Sequence, residues 1–354
     1  MVRNQREWEP AKTWVFAVGI LQWENSDTWP SFPDAVVGRF DEKLVNLFQE
    51  IGVPEEQIIY LQDEAATLEE IQEKLAEFLA RTDEEDLLIL YFAGHGDWDS
   101  ETGIHYFINY DAHGEDRENY WSIPAIFDEI ENSFNGSKAL LLADCCFSGG
   151  LIDELKSREG ETEIAYACVS SAYSHNTSTG NWTFTESLYQ GLLGNPAVDL
   201  DGDHSITLYD FARYAELEMA FMEEQKSMFL TVNDFDPQML LATVSEEIEA
   251  VEGKRVEVEY EGEWYKAKTL EREDGQVRIV YVEDKSEAWV EPERIRPYQP
   301  EMFAVGDAVE VESEEEWYAA TVKKAWYGLH YISFDDYSDL WDEWVGSGRI
   351  REPE

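Results

Sequence analysis

Two stretches of this chain are apolar at every position, and each ends in residues that can do chemistry. Residues 87–92 lead into His95, which stands between two glycines, and residues 139–143 lead into Cys146 within Asp-Cys-Cys-Phe-Ser-Gly. Runs that are apolar throughout are typical of strands buried on both faces, as in a parallel sheet. Such sheets carry their chemistry beyond the carboxyl ends of the strands. The pattern therefore predicts an α/β fold with His95 and Cys146 at one edge of the sheet.

The rest of the first 245 residues alternates between strand-like and helix-like patterns. Further buried strands are predicted at residues 14–20 and 164–169, and a short strand at 58–61. The helical spacing of apolar residues predicts helices at 35–51, 67–81, 123–134, 183–193 and 207–224. Thr67 is a candidate N-cap. Alternation of this kind predicts a mostly parallel sheet flanked by helices.

The pattern changes after about residue 250, where short strands replace long helices and a repeat appears. Val256-Glu-Val-Glu and Trp264 recur as Val309-Glu-Val-Glu and Trp317, so the two tryptophans lie 53 residues apart. Two copies of about 50 residues with short strands predict two small β-barrels. The predicted domains are therefore residues 1–248, 249–299 and 300–354.

Composition limits the class of protein and of partner. The chain has 77 acidic and 26 basic side chains and a net charge of −51, which argues against binding nucleic acid or an anionic membrane through a basic surface. The hydrophobic fraction of 44% argues against disorder. Three cysteines cannot form a complete set of disulfides, which fits reduced thiols and a cytoplasmic location. The first residues lack the apolar core of a signal peptide, and no run approaches the length of a membrane span.

A cysteine and a histidine that follow two buried strands suit nucleophilic chemistry. A cysteine attacks as its thiolate, so a base such as His95 must remove the proton from its sulfur. Neighbouring residues at a strand end point to opposite sides, so one of Cys145 and Cys146 is expected to face the core. The alternative is that both thiols are buried structural groups and that His95 is a turn residue.

His95 precedes Cys146 by 51 residues, and caspase-type peptidases carry their histidine about 50 residues before the cysteine. With Gly-His-Gly and Asp-x-Cys-x-Ser-Gly both present, residues 12–245 resemble caspase-like cysteine peptidases of the metacaspase or prokaryotic caspase-like branch. The resemblance implies a caspase-like fold, an endopeptidase that acts on proteins, and Cys146 rather than Cys145 as nucleophile. It implies that the backbone amides of Gly96 and Cys146 hold the oxyanion. It also implies a regulated enzyme, since prokaryotic relatives often act in cell death or antiviral defence.

The resemblance also implies which residues select the substrate. Asp144, two residues before Cys146, corresponds to an acidic pocket residue of metacaspases, which cut after arginine or lysine. Asp41 is the best match to a second acidic pocket residue, and a pair of carboxylates can hold a guanidinium bidentately. Ser170 and Ser171 are the candidate pocket-wall residues. We therefore expect cleavage after Arg, with Lys second; for Asp41 the alternative is an ordinary solvated helix residue.

An acidic segment before the last predicted helix resembles a calcium-binding EF-hand loop, although the chemistry of the dyad requires no cofactor. The candidate ligands are Asp199, Asp201, Asp203 and Asp210. His204 replaces the usual glycine, and Asp210 replaces the usual bidentate glutamate. The alternative is an acidic turn that caps the next helix. Asp111 and Asp153 match two positions of the calcium site of metacaspases, but the acidic pair expected near residues 121–122 is missing.

The two C-terminal repeats resemble Tudor or agenet modules, some of which bind methylated lysine or arginine in an aromatic cage. The candidate cage residues are Tyr318, Phe334 and Tyr337. The alternative is that these rings pack the barrels. A barrel that binds a partner protein or presents substrate is expected.

Two further interpretations stay open at this level. Lys156 and Arg158 lie between the cysteine strand and the next strand, where caspases are processed; the alternative is an uncut loop. The chain as a whole could also be a non-catalytic caspase-like scaffold whose barrels bind partners. Intact His95 and Cys146 argue against that interpretation, because a scaffold needs neither residue.

Overall fold

The computed structural model describes residues 8–32, 38–114, 117–174, 180–248, 254–313, 316–326 and 328–353. These residues form two compact units. The first holds the described parts of Met1–Leu192, Ile206–Ala215 and Ser227–Ala242, and the second those of Leu193–Ser205, Glu216–Lys226 and Thr243–Glu354. The second unit thus includes two segments, 193–205 and 216–226, that precede the predicted boundary at residue 248.

The first unit is built on a six-stranded sheet. The described residues between 13 and 243 contain the strands β1 (Thr13–Gly19), β2 (Ile58–Gln62), β3 (Leu87–Ala93), β4 (Gly96–Trp98), β5 (His105–Phe107), β6 (Trp121–Ser122), β7 (Lys138–Asp144), β8 (Ala165–Ser170), β9 (Ser205–Thr207), β10 (Met228–Val232) and β11 (Leu240–Thr243). The large sheet has the order β10-β8-β7-β3-β1-β2. All of its pairings are parallel except that of β10 with β8. The prediction of a mostly parallel sheet is therefore confirmed.

The helices are α1 (Phe40–Glu50), α2 (Leu68–Leu79), α3 (Ile123–Ser133), α4 (Gly150–Arg158), α5 (Thr183–Leu192) and α6 (Leu208–Glu218). The predicted cap at Thr67 is present, because its side chain accepts a hydrogen bond from the Glu70 N–H. Helix α6 ends earlier than predicted, since Met219–Glu223 continues as a π-helix. None of the helices in the described ranges is long and apolar enough to cross a membrane.

The central strands β1, β3 and β8 are buried at every residue, and β7 is exposed only at Lys138. Apolar side chains from these strands and from α2, α3 and α4 form one core cluster, which includes the fully buried Trp121 and Phe127. Burial of an aliphatic or aromatic side chain contributes about 1.5–3 kcal/mol, so this core is the main source of stability of the unit. It also fixes the strand ends that carry the two motifs.

A small antiparallel sheet with the order β4-β5-β6 begins directly after His95. The sequence analysis did not predict it, because its strands are only two or three residues long. Its first strand starts at Gly96 and therefore sets the path of the chain on one side of the histidine.

The second unit contains two antiparallel five-stranded sheets, one for each sequence repeat. The strands are β12 (Arg255–Tyr260), β13 (Glu263–Glu273), β14 (Gln276–Tyr281), β15 (Glu287–Val290), β16 (Ile295–Pro297), β17 (Ala308–Ser313), β18 (Glu316–Trp326), β19 (Leu329–Phe334), β20 (Glu343–Gly346) and β21 (Ile350–Arg351). The orders, β15-β14-β13-β12-β16 and β20-β19-β18-β17-β21, are equivalent. The register shifts at the same place in both, between Thr269 and Glu271 and between Val322 and Lys324. The prediction of two small barrels with a common fold is confirmed.

Within the second unit, both barrels contact the segment 216–226. Glu218 is buried and pairs with Lys268 at 2.9 Å and with Arg255 at 3.3 Å, both in the first barrel. From the second barrel, the Arg349 guanidinium donates a hydrogen bond to the Glu224 carbonyl. The two cations hold the pKa of the Glu218 carboxyl below its usual value in spite of its burial. Replacing either cation by an apolar residue would leave this buried carboxylate with one partner fewer, which is destabilising.

Candidate active site

The register of the central sheet brings the two motifs side by side. Strands β3 and β7 are adjacent and parallel, and Ala93 pairs with Asp144 at their carboxyl ends. The Gly94 N–H donates a hydrogen bond of 3.3 Å to the Asp144 carbonyl beyond the last pair. His95 and Cys146 are each the second residue after this last pair. The two segments that the sequence analysis joined by motif alone are therefore neighbours in the fold.

Gly96 is the point of closest approach between the two segments. A Cβ atom at this position would lie 1.9 Å from the Cys146 carbonyl oxygen and 3.2 Å from the Cys145 sulfur. No larger residue fits without moving the backbone of the cysteine turn. The glycine after the histidine is therefore required by packing against the cysteine segment.

The two adjacent cysteines lie in different environments. Cys145 belongs to the hydrophobic core, and burial raises the pKa of its thiol well above the usual value. Cys146 is only partly buried, and the next residue, Phe147, has a φ of 55°, in the left-handed region that residues other than glycine rarely adopt. The chain thus turns sharply between strand β7 and helix α4, with the Cys146 side in contact with solvent and the Cys145 side in the core.

His95 is enclosed by aromatic rings and held at one nitrogen. The centres of the Trp23 and Phe32 rings lie 4.4 Å and 4.5 Å from the imidazole centre. The Nε2 atom lies 2.8 Å from the Pro30 carbonyl oxygen. Because a carbonyl can only accept, this contact assigns the proton of the neutral ring to Nε2 and leaves Nδ1 as the basic nitrogen.

Burial lowers the pKa of His95 below its usual value of 6.5, although the Pro30 contact acts in the opposite direction. The imidazole is therefore neutral at neutral pH. In this state it can take a proton from an acid near Nδ1, which is the property that a general base requires.

Two buried hydroxyls join the cysteine turn to the loop after strand β8. The Ser171 Oγ accepts a hydrogen bond of 3.1 Å from the Cys145 N–H, and the Ser148 Oγ accepts one of 3.0 Å from the Ala172 N–H. Ser170 and Ser171 are both fully buried, and the Ser170 hydroxyl donates to the Ala172 carbonyl. The two serines predicted to line a pocket wall therefore bond to the backbone in this structure.

Asp144 lies at the end of β7 and is 8% exposed. Its Oδ2 atom accepts hydrogen bonds from the Thr185 N–H at 3.2 Å and from the Thr185 hydroxyl at 2.7 Å. The same hydroxyl lies 2.7 Å from the Tyr91 hydroxyl. Helix α5, which carries Thr185 in its first turn, thus orients the carboxylate that the sequence analysis assigned to substrate binding.

Asp41 lies in a buried ionic network instead. Its carboxylate is fully buried, accepts hydrogen bonds from the Arg39 guanidinium at 2.6 Å and 3.0 Å, and accepts another from the Tyr60 hydroxyl at 2.8 Å. Arg39 also pairs with Asp63 at 2.6 Å. The alternative of a solvated helix residue is wrong, because the side chain has no contact with solvent. The guanidinium that Asp41 binds here belongs to the chain itself.

Three residues of this region were missed by the sequence analysis: Pro30, Arg39 and Thr185. Pro30 acts through a backbone carbonyl, which leaves no trace in a side-chain pattern. Thr185 lies 41 residues from Asp144, and nothing in the spacing connects them. Arg39 carries the one available signal, since it stands two residues before Asp41 in an acidic chain.

The acidic loop in the second unit brings three of the predicted metal ligands together. Carboxylate oxygens of Asp199, Asp201 and Asp203 lie within 4.8 Å of one another. Oxygen ligands at this spacing suit a calcium ion. Asp210 lies in the first turn of α6, and its carboxylate accepts a hydrogen bond of 2.9 Å from the N–H of Thr207, the residue before the helix. The fourth candidate ligand thus caps the helix, as the alternative interpretation of this segment expected.

The residues considered for processing and for a second calcium site are also placed. Lys156 and Arg158 lie in helix α4 and not in a loop, and processing at this segment stays a prediction. The Arg158 guanidinium is bound by Glu154, Asp128 and Glu131 at 2.7–2.8 Å, which holds the end of this helix. Asp111 accepts the Leu68 N–H at the start of α2, whereas Asp153 pairs with Lys156.

In the second barrel, the three predicted cage residues form a cluster. The ring centres of Phe334 and Tyr337 lie 6.2 Å and 6.0 Å from that of Tyr318, and both rings are nearly perpendicular to it. Tyr337 is 52% exposed, while Phe334 is buried against the barrel core. Phe334 therefore packs the barrel, whereas Tyr337 faces solvent, and the cage stays a prediction.

Comparisons with known proteins agree with this division of the chain. A family model described as the caspase domain matches residues 41–233, and one described as the agenet domain matches residues 306–354. No curated protein matches the chain. Among solved structures, protein GSU0716 from Geobacter sulfurreducens is 14% identical, with a TM-score of 0.46, and the match covers 66% of this chain and 100% of that one.

Two solved agenet structures also match part of the chain. The tandem agenet domain 3-4 of ADCP1 is 23% identical, with a TM-score of 0.14, over 29% of this chain and 79% of that one. The AGD34 segment of Arabidopsis thaliana AGDP1 is 22% identical, also with a TM-score of 0.14, over 29% of this chain and 81% of that one. Since the caspase-domain match spans more than half of the chain, the protein belongs to the caspase domain family and carries an agenet domain at its C-terminal end.

Proposed function

We propose that the protein is a cysteine endopeptidase in which Cys146 is the nucleophile and His95 the general base. The observation that carries the proposal is the pairing of β3 and β7 up to Ala93 and Asp144, from which His95 and Cys146 each follow by two residues. The neutral imidazole with its proton on Nε2 and the partly buried Cys146 thiol support it.

In the proposed reaction, the His95 Nδ1 atom takes the proton from the Cys146 sulfur, and the thiolate attacks the carbonyl carbon of the scissile peptide. The backbone N–H groups of Gly96 and Cys146 stabilise the oxyanion that forms. The tetrahedral intermediate then collapses, the C–N bond breaks, and the imidazolium returns its proton to the leaving amine. Water, activated by the same imidazole, hydrolyses the thioester and restores the thiol.

We propose cleavage after arginine, with lysine second, and assign the selection to Asp144. Its carboxylate lies two residues before Cys146 and is oriented by Thr185. Asp41 contributes to the negative potential of this edge, but Arg39 already binds its oxygens. The net charge of −51 also favours the approach of basic segments of a substrate.

The first experiment measures the cleavage of fluorogenic peptides that end in Arg, Lys, Asp or Gln. We expect cleavage of the Arg and Lys peptides, complete loss in Cys146→Ala, and normal activity in Cys168→Ala, which removes a fully buried thiol from β8. Asp144→Asn should lower kcat/KM for the Arg peptide about 100-fold, because a charge-assisted contact is lost. Cleavage only after Asp would contradict the basic specificity and leave the dyad intact.

Absence of any cleavage would favour the scaffold interpretation, provided that the Cys146 thiol also reacts slowly. Rapid alkylation of Cys146 at neutral pH would instead indicate an activated thiol that needs a regulator.

The proposed regulation in prokaryotic cell death or antiviral defence requires a cellular test. Cells that express the wild type should lose viability under a trigger that spares cells expressing Cys146→Ala.

A second function is proposed for the agenet domain, namely the binding of a partner protein through the cluster of Tyr318, Phe334 and Tyr337. Perpendicular rings around an open face can bind a methylated ammonium group by cation–π attraction. Titration with a trimethyllysine peptide and its unmodified form tests this. We expect preference for the methylated peptide, lost in Tyr337→Ala and kept in Met302→Ala, which removes an exposed side chain outside the cluster. Equal affinity for both peptides would contradict the cage.

We also propose that Asp199, Asp201 and Asp203 bind calcium, because their oxygens converge. Calorimetric titration with CaCl2 and with MgCl2 tests the site. Calcium binding that is lost in Asp201→Asn would support it, and absence of binding by the wild type would contradict it.

A further inference from the structure

The peptide groups on both sides of Cys145 are fixed by the hydroxyl of Ser171. This hydroxyl oxygen accepts the Cys145 N–H at 3.1 Å and lies 3.4 Å from the Cys145 carbonyl oxygen, to which it donates. Ser171 is itself anchored, because its N–H donates 2.9 Å to the Ala143 carbonyl in β7. One side chain thus holds both the amide and the carbonyl of the residue that precedes the proposed nucleophile.

A second hydroxyl completes the arrangement. The Ser148 Oγ lies 3.5 Å from the Ser171 Oγ and accepts the Ala172 N–H at 3.0 Å. If Ser148 donates its proton to Ser171, the Ser171 proton is left for the Cys145 carbonyl, and each hydroxyl both donates and accepts. Both side chains are fully buried, so water does not compete for these bonds.

The direction of the Cys145 carbonyl has a consequence for the next amide. In a trans peptide the C=O and the following N–H point in opposite directions. A hydroxyl that fixes the Cys145 carbonyl therefore also fixes the direction of the Cys146 N–H. That N–H is one of the two proposed oxyanion donors. Gly96, the other donor, is packed against the Cys146 carbonyl and limits the movement of the same turn from the opposite side.

We infer that Ser171, supported by Ser148, is a positioning residue that aims the Cys146 N–H at the oxyanion. The inference rests on the proposed peptidase function. It differs from a pocket-wall role, because the Ser171 side chain bonds to the cysteine turn and acts on the substrate only through the backbone of Cys146.

The test compares two reactions of the same sulfur in the full-length protein. A peptide ending in arginine aldehyde forms a hemithioacetal with the Cys146 sulfur, and the oxyanion donors stabilise the oxygen of this adduct. Iodoacetamide alkylates the same sulfur by displacement of iodide and forms no oxyanion. Ser171→Ala should weaken inhibition by the aldehyde about tenfold, since loss of an oxyanion donor outright costs more, about 100-fold or above. The alkylation rate of Cys146 should stay within about twofold of the wild type. In peptide cleavage, kcat should fall with little change in KM.

Two further variants separate positioning from a general loss of structure. Ser227→Ala is the control, because the Ser227 hydroxyl is buried like that of Ser171 but donates to the Ser170 carbonyl and not to the cysteine turn. This variant should leave both reactions unchanged. Ser148→Ala should weaken aldehyde inhibition less than Ser171→Ala does. An unchanged aldehyde affinity in Ser171→Ala, or a parallel fall of both reactions, would overturn the inference. A wild type that binds no aldehyde and is also alkylated slowly at Cys146 would contradict the proposed function, and the inference with it.

Discussion

At the scale of single residues, backbone carbonyls and buried charges decide what the reactive side chains can do. The Pro30 carbonyl sets the tautomer of His95, and the Arg39 guanidinium binds both carboxylate oxygens of Asp41. Neither effect follows from the identity of the reactive residue alone. The fold brings Pro30 to His95 from a distant part of the chain. Arg39 is only two residues from Asp41, but the fold orients its guanidinium toward the carboxylate.

The lowered pKa of His95 predicts the acid limb of the activity profile. Because the folded pKa lies below 6.5, the imidazole stays neutral as the pH falls through 6.5 and is protonated only at lower pH. Cleavage and thiol alkylation measured between pH 4.5 and 8 should therefore lose activity with a midpoint below 6.5. Trp23→Ala, which opens one side of the ring to water, should move the midpoint upward. A wild-type midpoint above 6.5 would contradict this assignment.

The ionic network around Asp41 predicts a loss of stability when one partner is neutralised. Asp41→Asn leaves the buried Arg39 with one fewer anion, and disruption of a buried pair costs about 3 kcal/mol. Urea unfolding of the variant should show this decrease in the free energy of unfolding. Glu42→Gln, an exposed change in the same helix turn, should stay within about 0.5 kcal/mol of the wild type. Equal stability of the two variants would argue against a structural role for Asp41.

At the scale of elements, the site is assembled by two strand ends and the turns that follow them. Strands β3 and β7 are held in register by apolar side chains on both faces, so the positions of His95 and Cys146 follow from the core. The turn after β7 depends in addition on close backbone packing at Gly96 and on the hydroxyl of Ser171.

This packing predicts a strong effect of a single methyl group. In Gly96→Ala the added Cβ would meet the Cys146 carbonyl at 1.9 Å, so the cysteine turn must move. A displacement of about 1 Å at a reacting group can cost about 100-fold in rate, and we expect a loss of this size in kcat/KM. Gly346→Ala serves as the matched control, because its nearest neighbour would lie at 3.8 Å. Full activity of Gly96→Ala would contradict the observed approach of the two segments.

At the scale of the whole molecule, the apolar runs predicted much of the first unit. Residues 87–92 and 139–143 fall within β3 and β7, and their pairing follows from the order of the sheet. The sheet β4-β5-β6 and helix α4 were missed, because strands of two or three residues carry no period and α4 is short and weakly patterned. The bond of the Ser171 hydroxyl to the Cys145 N–H and the pairing of Arg39 with Asp63 were missed, because contacts between segments distant in sequence have no local signal.

The net charge of −51 predicts a dependence of stability on salt. Self-repulsion of an acidic surface opposes the compact state, and salt screens it. The free energy of unfolding should therefore rise by about 1 kcal/mol between 0.05 M and 1 M NaCl, or a few degrees in Tm. Thermal unfolding in NaCl and in KCl of equal ionic strength measures this. Stability that is independent of both salts would show that the acidic surface is already relieved by its own ion pairs.

The most direct measurement of the central claim is the covalent labelling of the intact protein with a peptide that ends in an arginine acyloxymethyl ketone. We predict one adduct per chain, mapped by mass spectrometry to Cys146, with Cys145 and Cys168 unlabelled. The adduct should form far more slowly in His95→Ala. Labelling spread over several cysteines, or labelling of Cys146 that does not depend on His95, would contradict the proposed dyad.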